Sequence, residues 1–441
     1  MAAFARPSHP FQMKPIRSLR IAQIATSAAL LAFCCGRAVA QQPLTWTQVK
    51  TEFEARNPAL KADQSNVDEM RAAEITAGLR PNPDFSFTQD GTQIYPNHGI
   101  WQPLAGTFLV PSISYLHERD HKRELRVESA KKGTQVAASQ HEDLERTMLF
   151  TLRSAFVQVL EAKAVVDLAK QELDYYDHII AISDERFKKG DLAEIDFERI
   201  ELQRVQYESD LQAADVNLRT AKIQLLQLLD ERIPIEQFDV DGPFDFTDQL
   251  ESLQQMQQAA LDNRPDLRAA LRSVQQAEIN HKLAIANGST DPTFGGWWTY
   301  NASNNNPYAD QTLGLSVSIP LRIFDRNQGE KQRTLIDIQR NRQLADASRA
   351  QVFSDVDSAY AQVNSNLVLL RPYRDKYLGE AVKVRDTVTY AWQHGGASLM
   401  DFLNAQSDFR NVHLAYLQLV GAYLTAASQL NMAVGQEVIH P

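Results

Sequence analysis

The end of the chain carries an unbroken apolar seam. Phe402, Ala405, Phe409, Val412, Tyr416, Leu419, Tyr423, Ala426 and Leu430 recur at alternating steps of three and four, which puts them on one stripe of a coiled-coil helix. A counterpart runs through Tyr207, Leu211, Ala214, Leu218, Ala221, Leu225 and Leu228, with Arg204 interrupting it one turn earlier. Both stripes read as packing surfaces without chemistry. From Glu118 to Lys189 the chain is rich in Glu, Lys, Arg, Gln, Ala and Leu, with Gly133 as its only glycine and no proline. That composition favours a single helix on the order of 100 Å long. The stretch from Arg326 to His394 repeats the pattern, interrupted by Gly379 and by Pro372, where a helix should kink or divide. Such lengths do not fit an ordinary globular core, so the pattern predicts long helical hairpins.

Four short segments switch to a period of two. Phe85 and Phe87 alternate with Ser86 and Thr88, and Leu109, Ile113 and Tyr115 alternate with Val110, Ser112 and Ser114. Later, Phe294, Trp298 and Tyr300 share a face, while Leu313, Leu315, Val317 and Ile319 alternate with Gly314, Ser316 and Ser318. One apolar face and one small, polar face suit a strand lying between lipid and a watery lumen. Four strands cannot close a barrel, because the smallest membrane barrels use about eight. Open edges are excluded in lipid, so several chains would have to share one barrel. A soluble antiparallel sheet in an α+β domain fits the strands alone but leaves the long helices unconnected. Residues 90–106 and 301–311, rich in Asn, Pro, Gly and Tyr, read as loops. Trp101, Trp297, Trp298, Tyr300 and Tyr308 would suit an interfacial aromatic belt.

The pattern occurs twice. Asn57-Pro58-Ala59-Leu60-Lys61-Ala62 matches Arg264-Pro265-Asp266-Leu267-Arg268-Ala269, and Pro83 with Phe85 matches Pro292 with Phe294. Gly190 followed by Asp196-Phe197 matches Gly395 followed by Asp401-Phe402. A tandem duplication with a period of roughly 200 residues follows. The expected organisation is a leader over residues 1–40, a first repeat over 41–231, a linker segment over 232–262 and a second repeat over 263–441. The linker reading rests on the Pro- and Gly-containing run from Arg232 to Pro243.

Composition adds the compartment. Arg6, Lys14, Arg17, Arg20 and Arg37 are the charged residues of the first forty, and an apolar run from Ile21 to Cys35 separates the last two. This is the pattern of a secretory signal, with cleavage expected after Ala38-Val39-Ala40. Both cysteines, Cys34 and Cys35, fall inside it, so the exported chain would have no thiol chemistry. A lipoprotein site would need a small residue where Leu31-Ala32-Phe33-Cys34 has Phe33. Losing five basic and no acidic residues takes the net charge from −10 to −15, a poor balance for binding nucleic acid. Beyond the leader no stretch approaches the roughly 20 consecutive apolar residues of a helical membrane span.

On these residues the chain resembles the TolC-like outer membrane efflux protein family. The likeness rests on the duplicated Asn-Pro-Ala-Leu and Arg-Pro-Asp-Leu helix starts, on Leu79-Arg80-Pro81-Asn82-Pro83 before the first strand, and on two hairpin turns. The turns read Arg186-Phe187-Lys188-Lys189-Gly190-Asp191-Leu192 and Tyr390-Ala391-Trp392-Gln393-His394-Gly395-Gly396. The resemblance implies a mainly α chain with a membrane β-barrel, its coiled-coil hairpins forming a periplasmic tunnel. Four strands from each of three protomers would close a shared twelve-stranded barrel in the outer membrane lipid. It implies a homotrimer whose tips dock on a periplasmic adaptor protein, linked in turn to an inner-membrane RND-type pump. By the same likeness Gly190, Asp191, Leu192, Gly395, Gly396 and Ala397 are candidates for adaptor contact, although tight hairpin geometry also explains the glycines. Asp401 aligns with an acidic gate position, and Asn404 stands where a second acid can occur; Asp401 on a solvated helix face is the plain alternative. The run Ile319-Pro320-Leu321-Arg322-Ile323-Phe324-Asp325-Arg326-Asn327-Gln328-Gly329 looks like the CzcC-like subgroup, which exports cobalt, zinc and cadmium.

His117 and His121, four apart at an expected helix start, have a spacing compatible with metal ligation but no third ligand near them in sequence. No Walker A loop, dinucleotide fingerprint, His-Glu-x-x-His or nucleophile elbow occurs. The chain is therefore not read as an enzyme, and no cofactor is expected. Drug efflux, type I protein secretion and a structural coiled-coil surface protein remain as other readings.

Overall fold

The computed structural model describes residues 42–301 and 307–439; the expected leader lies outside them. The element order runs twice through the same series. Helices α1 (Trp46–Arg56) and α2 (Pro58–Gly78) precede strands β1 (Asp84–Asp90) and β2 (Phe108–Leu116), then helices α3 (Lys122–Lys188) and α4 (Glu194–Leu228). The second series is α5 (Leu253–Asn263), α6 (Pro265–Ala286), β3 (Thr293–Tyr300), β4 (Gln311–Ser318), α7 (Gln328–Pro372), α8 (Leu378–Gln393) and α9 (Leu399–Val434). At 67 residues, α3 is about 100 Å long.

Local chemistry sets the helix ends. Pro58 and Pro265 sit in first turns, where a missing N–H costs nothing. Asn57 caps α2 by accepting from the N–H groups of Ala59 and Leu60 at 2.9 and 3.1 Å. Its counterpart Arg264 is buried and makes no such cap; its guanidinium donates to Asp266, Asp355 and the Ala433 carbonyl. Pro372 ends α7, and a π-helical turn at Tyr373–Tyr377 leads into α8. That turn supplies the division expected of a proline, which has no N–H to donate.

Three apolar clusters form along the helices. One joins α5, α6, α7 and α9 around Val352, Val356, Tyr423 and Leu430. A second joins α1, α2, α3 and α4 around Phe53, Leu152, Phe156 and Leu225. The segment after α4 packs into the second cluster through Phe238 and Val240, and Val240 bridges to Leu44. The third cluster lies at the hairpin turns: Tyr176, Ile179, Ile200 and Tyr207 of the first hairpin meet Trp392 and Phe402 of the second. Both seams are buried or half-buried along their length, and no helix among the described residues is long and apolar enough to cross a membrane.

Candidate channel wall, gate and docking tips

The strands form one antiparallel sheet in the order β1-β2-β3-β4. Registers that pair Phe85 with Ile113, Ile113 with Gly296, and Gly296 with Leu315 decide the two faces, because side chains alternate along each strand. Phe85, Phe87, Ile113, Phe294, Trp298, Leu313, Leu315 and Val317 line one face, all exposed. The other face carries Ser86, Thr88, Ser112, Ser114, Thr299, Ser316 and Ser318, with the Ser86 and Ser112 hydroxyls 2.7 Å apart. The alternation expected from the sequence is thus preserved across all four strands.

One aromatic departs from the expected belt. Trp297 stands on the small, polar face, opposite Trp298, and its ring lies over Gly314, where an added Cβ would come within 2.2 Å of it. Neighbouring residues in a strand point opposite ways, so two successive tryptophans cannot share a lipid-facing belt. The loop after β3 is described only in part, since residues 302–306 fall outside the described set.

Where the sheet meets the helices, the buried Lys122 at the start of α3 reaches Asp291 at 2.6 Å and the Ser289 carbonyl at 3.1 Å. Asp291 also accepts from the Arg119 N–H at 2.9 Å. This clamp ties the segment entering β3 to the one leaving β2. It occupies the region where the histidine pair was expected to begin a helix. His121 is instead the residue before α3, with φ of 55°, and His117 lies in the chain leading to it. The four-residue helical spacing is therefore not formed. Among the described residues no group of three or more His, Cys, Asp or Glu side chains could hold a metal ion.

The two hairpin turns have the same hydrogen bonds. Gly190 has φ of 81° and Gly395 φ of 77°. The Asp191 N–H donates to the Arg186 carbonyl and the Gly190 N–H to that of Phe187; Gly396 and Gly395 do the same to Ala391 and Trp392. This is the Schellman arrangement, with glycine in the left-handed position. Space is not the constraint, because a Cβ at either glycine would meet nothing within 4 Å. Leu192 and Ala397 turn inward onto the apolar cluster at the turns, whereas Asp191, Gly190, Gly395 and Gly396 are exposed.

Asp401 and Asn404 stand one turn apart on the exposed side of α9, and Asp408 and Asn411 continue the line. The Asp401 carboxylate accepts from the Ser398 N–H at 3.1 Å and its hydroxyl at 2.7 Å, while the Asp401 N–H donates back to the Ser398 oxygen. That is a capping box. The Ser398 side chain, and then its backbone, hold the Asp401 pKa below the usual value. The group therefore stays charged at any near-neutral pH.

A polar cluster between the two hairpins went unread in the sequence. Glu172 on α3 is 4% exposed, and burial pushes its pKa up to about 7 against the pull of Arg385 and Arg410. It borders a cavity of about 270 Å³ shared with Tyr207, Asp210 and Arg410. Arg410 pairs with Asp210 at 2.8 Å, and Arg385 lies over the rings of Phe409 and Tyr175 at 4.0 and 4.8 Å. Arg204, which interrupts the seam of α4, pairs with Asp177 across the hairpin at 2.6 Å. That break was the one visible signal of polar traffic here; Glu172 looks like any other acid on a long helix.

Residues 256–436 match the family model of the outer membrane efflux proteins. Over 396 residues the chain is 20% identical to the cobalt-zinc-cadmium resistance protein CzcC of Cupriavidus metallidurans, covering 89% of this chain and 90% of that one. It is 22% identical over 321 residues to the pyoverdine export outer membrane protein OpmQ of Pseudomonas aeruginosa, covering 71% and 66% of the two. The fold is that of the solved channel CusC, at a TM-score of 0.72 and 16% identity, covering 89% of this chain and 92% of that one.

Proposed function

We propose that the chain is an outer membrane efflux protein, as the family match over residues 256–436 supports, and that it is the exit duct of a tripartite efflux system, carrying cargo from the periplasm across the outer membrane. One observation carries this reading: a four-stranded sheet with an apolar face, a small polar face and two open edges, set on long helices of which α3 is about 100 Å long. In lipid those edges must be paired by further copies, and three copies give the twelve strands of the family's barrel. The helices then form the periplasmic tunnel. The two proposed repeats, 41–231 and 263–441, carry the tunnel and barrel elements twice within each chain, with α5 (Leu253–Asn263), the counterpart of α1, lying in the segment assigned to the linker.

At the far end, the exposed Gly190, Asp191, Gly395 and Gly396, backed by the inward-turned Leu192 and Ala397, form the surface offered to a periplasmic adaptor and, through it, to an inner-membrane RND-type pump. A threefold axis would gather three Asp401 carboxylates at the tunnel mouth, with Asn404 one turn behind. Like charges there favour cations and oppose closure of the ring. The cargo proposed is heavy-metal cations of the cobalt-zinc-cadmium type, supported by the CzcC likeness and by the run from Ile319 to Gly329. The likeness to OpmQ supports a second reading, export of organic molecules.

Detergent extraction of outer membranes, mass determination and planar-bilayer recording test the duct: a conducting trimer is expected, and a soluble or non-conducting monomer would overturn it. Growth of a strain lacking the chain separates the cargoes. Sensitivity to cobalt, zinc or cadmium salts supports metal export, and sensitivity confined to organic toxicants supports the second reading. Asp401→Ala should raise single-channel conductance or cation leak. Ser398→Ala is the control, since it removes the cap and leaves the charge; an unchanged conductance in Asp401→Ala removes Asp401 from the gate.

A further inference from the structure

We infer that β4 of one chain pairs antiparallel with β1 of a second copy, in the register that sets Ser318 opposite Ser86, Val317 opposite Phe87 and Ser316 opposite Thr88 of that copy. The inference rests on the shared-barrel reading and supplies what that reading leaves open, namely which residue meets which across the seam.

The strands of the two hairpins correspond in sequence and in pairing register. Pro83 and Phe85 match Pro292 and Phe294, while Ser112-Ile113-Ser114 matches Ser316-Val317-Ser318. These two matches were drawn from different strands, and the hydrogen-bonded registers make them agree. Phe85 pairs with Ile113 in the first hairpin, and Phe294 pairs with Val317 in the second. The strand equivalence is therefore fixed twice over.

Between the hairpins, the chain shows how a second strand of one repeat meets a first strand of the next. Ser114 stands opposite Gly295, Ile113 opposite Gly296 and Ser112 opposite Trp297. The pairing continues past the strands, where the His117 N–H donates to the Pro292 carbonyl at 2.9 Å. The open edge of β4 and the open edge of β1 are the same two edges, one repeat further on. Closed threefold symmetry makes the three β4–β1 junctions alike, and the β2–β3 junction, built from the equivalent strands, is the template for each. Carrying each residue to its counterpart turns Ser114 opposite Gly295 into Ser318 opposite Ser86, and Ile113 opposite Gly296 into Val317 opposite Phe87. By the same step the Leu321 N–H meets the Pro83 carbonyl of the neighbour.

Two independent features fit this register. It keeps serine facing serine or threonine on the polar side and Val317 facing Phe87 on the apolar side, whereas a one-residue slip would interleave the two faces. It also sets Ile319 opposite the neighbour's Phe85 on the apolar face, two edge side chains that are 53 and 73% exposed in the single chain. An uncovered edge of this kind is a template for a further strand.

The test uses paired cysteines in the full chain, whose own Cys34 and Cys35 precede the described residues. The variant Ser86→Cys with Ser318→Cys, purified from outer membranes and oxidised, should run as covalently linked chains on a non-reducing gel. Thr88→Cys with Ser316→Cys should do the same, and covers the case in which the first pair impairs assembly. Ser86→Cys with Ser316→Cys, two residues out of register, should stay unlinked. A trimer that links only through the out-of-register pair, or through none, overturns the register and leaves the duct intact. A chain that forms no oligomer overturns both.

Discussion

The two hairpin turns are built alike and placed differently. Each carries a glycine with positive φ, an aromatic three residues before it and another seven after, and the rings stack across the turn. Phe187 and Phe197 lie 5.3 Å apart and Trp392 and Phe402 4.5 Å apart. Yet Trp392 is 4% exposed and Phe187 37%. The second pair is pressed onto Tyr176, Ile179, Ile200 and Tyr207, with Arg186 over the Trp392 ring at 5.1 Å; the first pair looks outward. The caps differ in the same way. Ser398 and Asp401 close a capping box, but the equivalent positions hold Ala193 and Asp196, and the first hairpin has no side-chain cap. A repeated sequence therefore repeats its turn, while the surroundings decide how firmly the turn is held.

The strongest way to break this contrast is to truncate the rings. Trp392→Ala should lower the local opening free energy at the turns by about 3–5 kcal/mol, read as lost hydrogen-exchange protection of α8 and α9. Phe187→Ala should cost far less in a single chain. An equal loss in the assembled protein would mean that another copy or partner covers the first pair.

Next comes the charge held between the hairpins. The folded pKa of Glu172 is raised, so the folded state holds the proton more tightly than the unfolded state. Stability is therefore greatest below the ordinary carboxylate value and declines as pH rises through about 7. Glu172→Gln should flatten that decline and make the hairpin contact firmer above neutrality, by on the order of 3 kcal/mol. Hydrogen exchange at two pH values, corrected for the intrinsic rate, checks it; a pH dependence identical to that of the parent chain would remove Glu172 as its source.

Smaller effects test the backbone. Gly190→Ala and Gly395→Ala should each cost about 1–2 kcal/mol, and equally, because both need the left-handed conformation and neither has a neighbour to clash with. Smallest is the exchange of caps: Ser398→Ala should cost about 1 kcal/mol, and Ala193→Ser should recover much of that in the first hairpin. Ala193 already has the extended backbone of a cap, at φ −70° and ψ 145°. Exchange protection of the first turns of α9 and α4 reads both changes.

Much of the architecture was legible from periodicity. The heptad seams, the alternating strands, the division at Pro372 and the paired glycine turns all stand where the sequence places them. The misreadings share a cause. Trp297 was grouped with Trp298 by residue type, although strand parity puts them on opposite faces. The histidine pair was read as helical, yet α3 begins only at Lys122, where the clamp to Asp291 holds its first turn. At the candidate gate the sequence shows the acid at position 401, and the structure adds its hydrogen bonds with Ser398.

By itself, then, the sequence determined the elements, their duplication and the two faces of the sheet, because periods of 2, 3.5 and 3.6 are local properties of a chain. Only the tertiary structure decided which hairpin is buried, that Glu172 is enclosed beside Arg385 and Arg410, and how β2 registers on β3. Those outcomes depend on contacts between residues far apart in the chain, and no local pattern records them. A charged side chain in the sequence looks the same whether water or another helix will meet it.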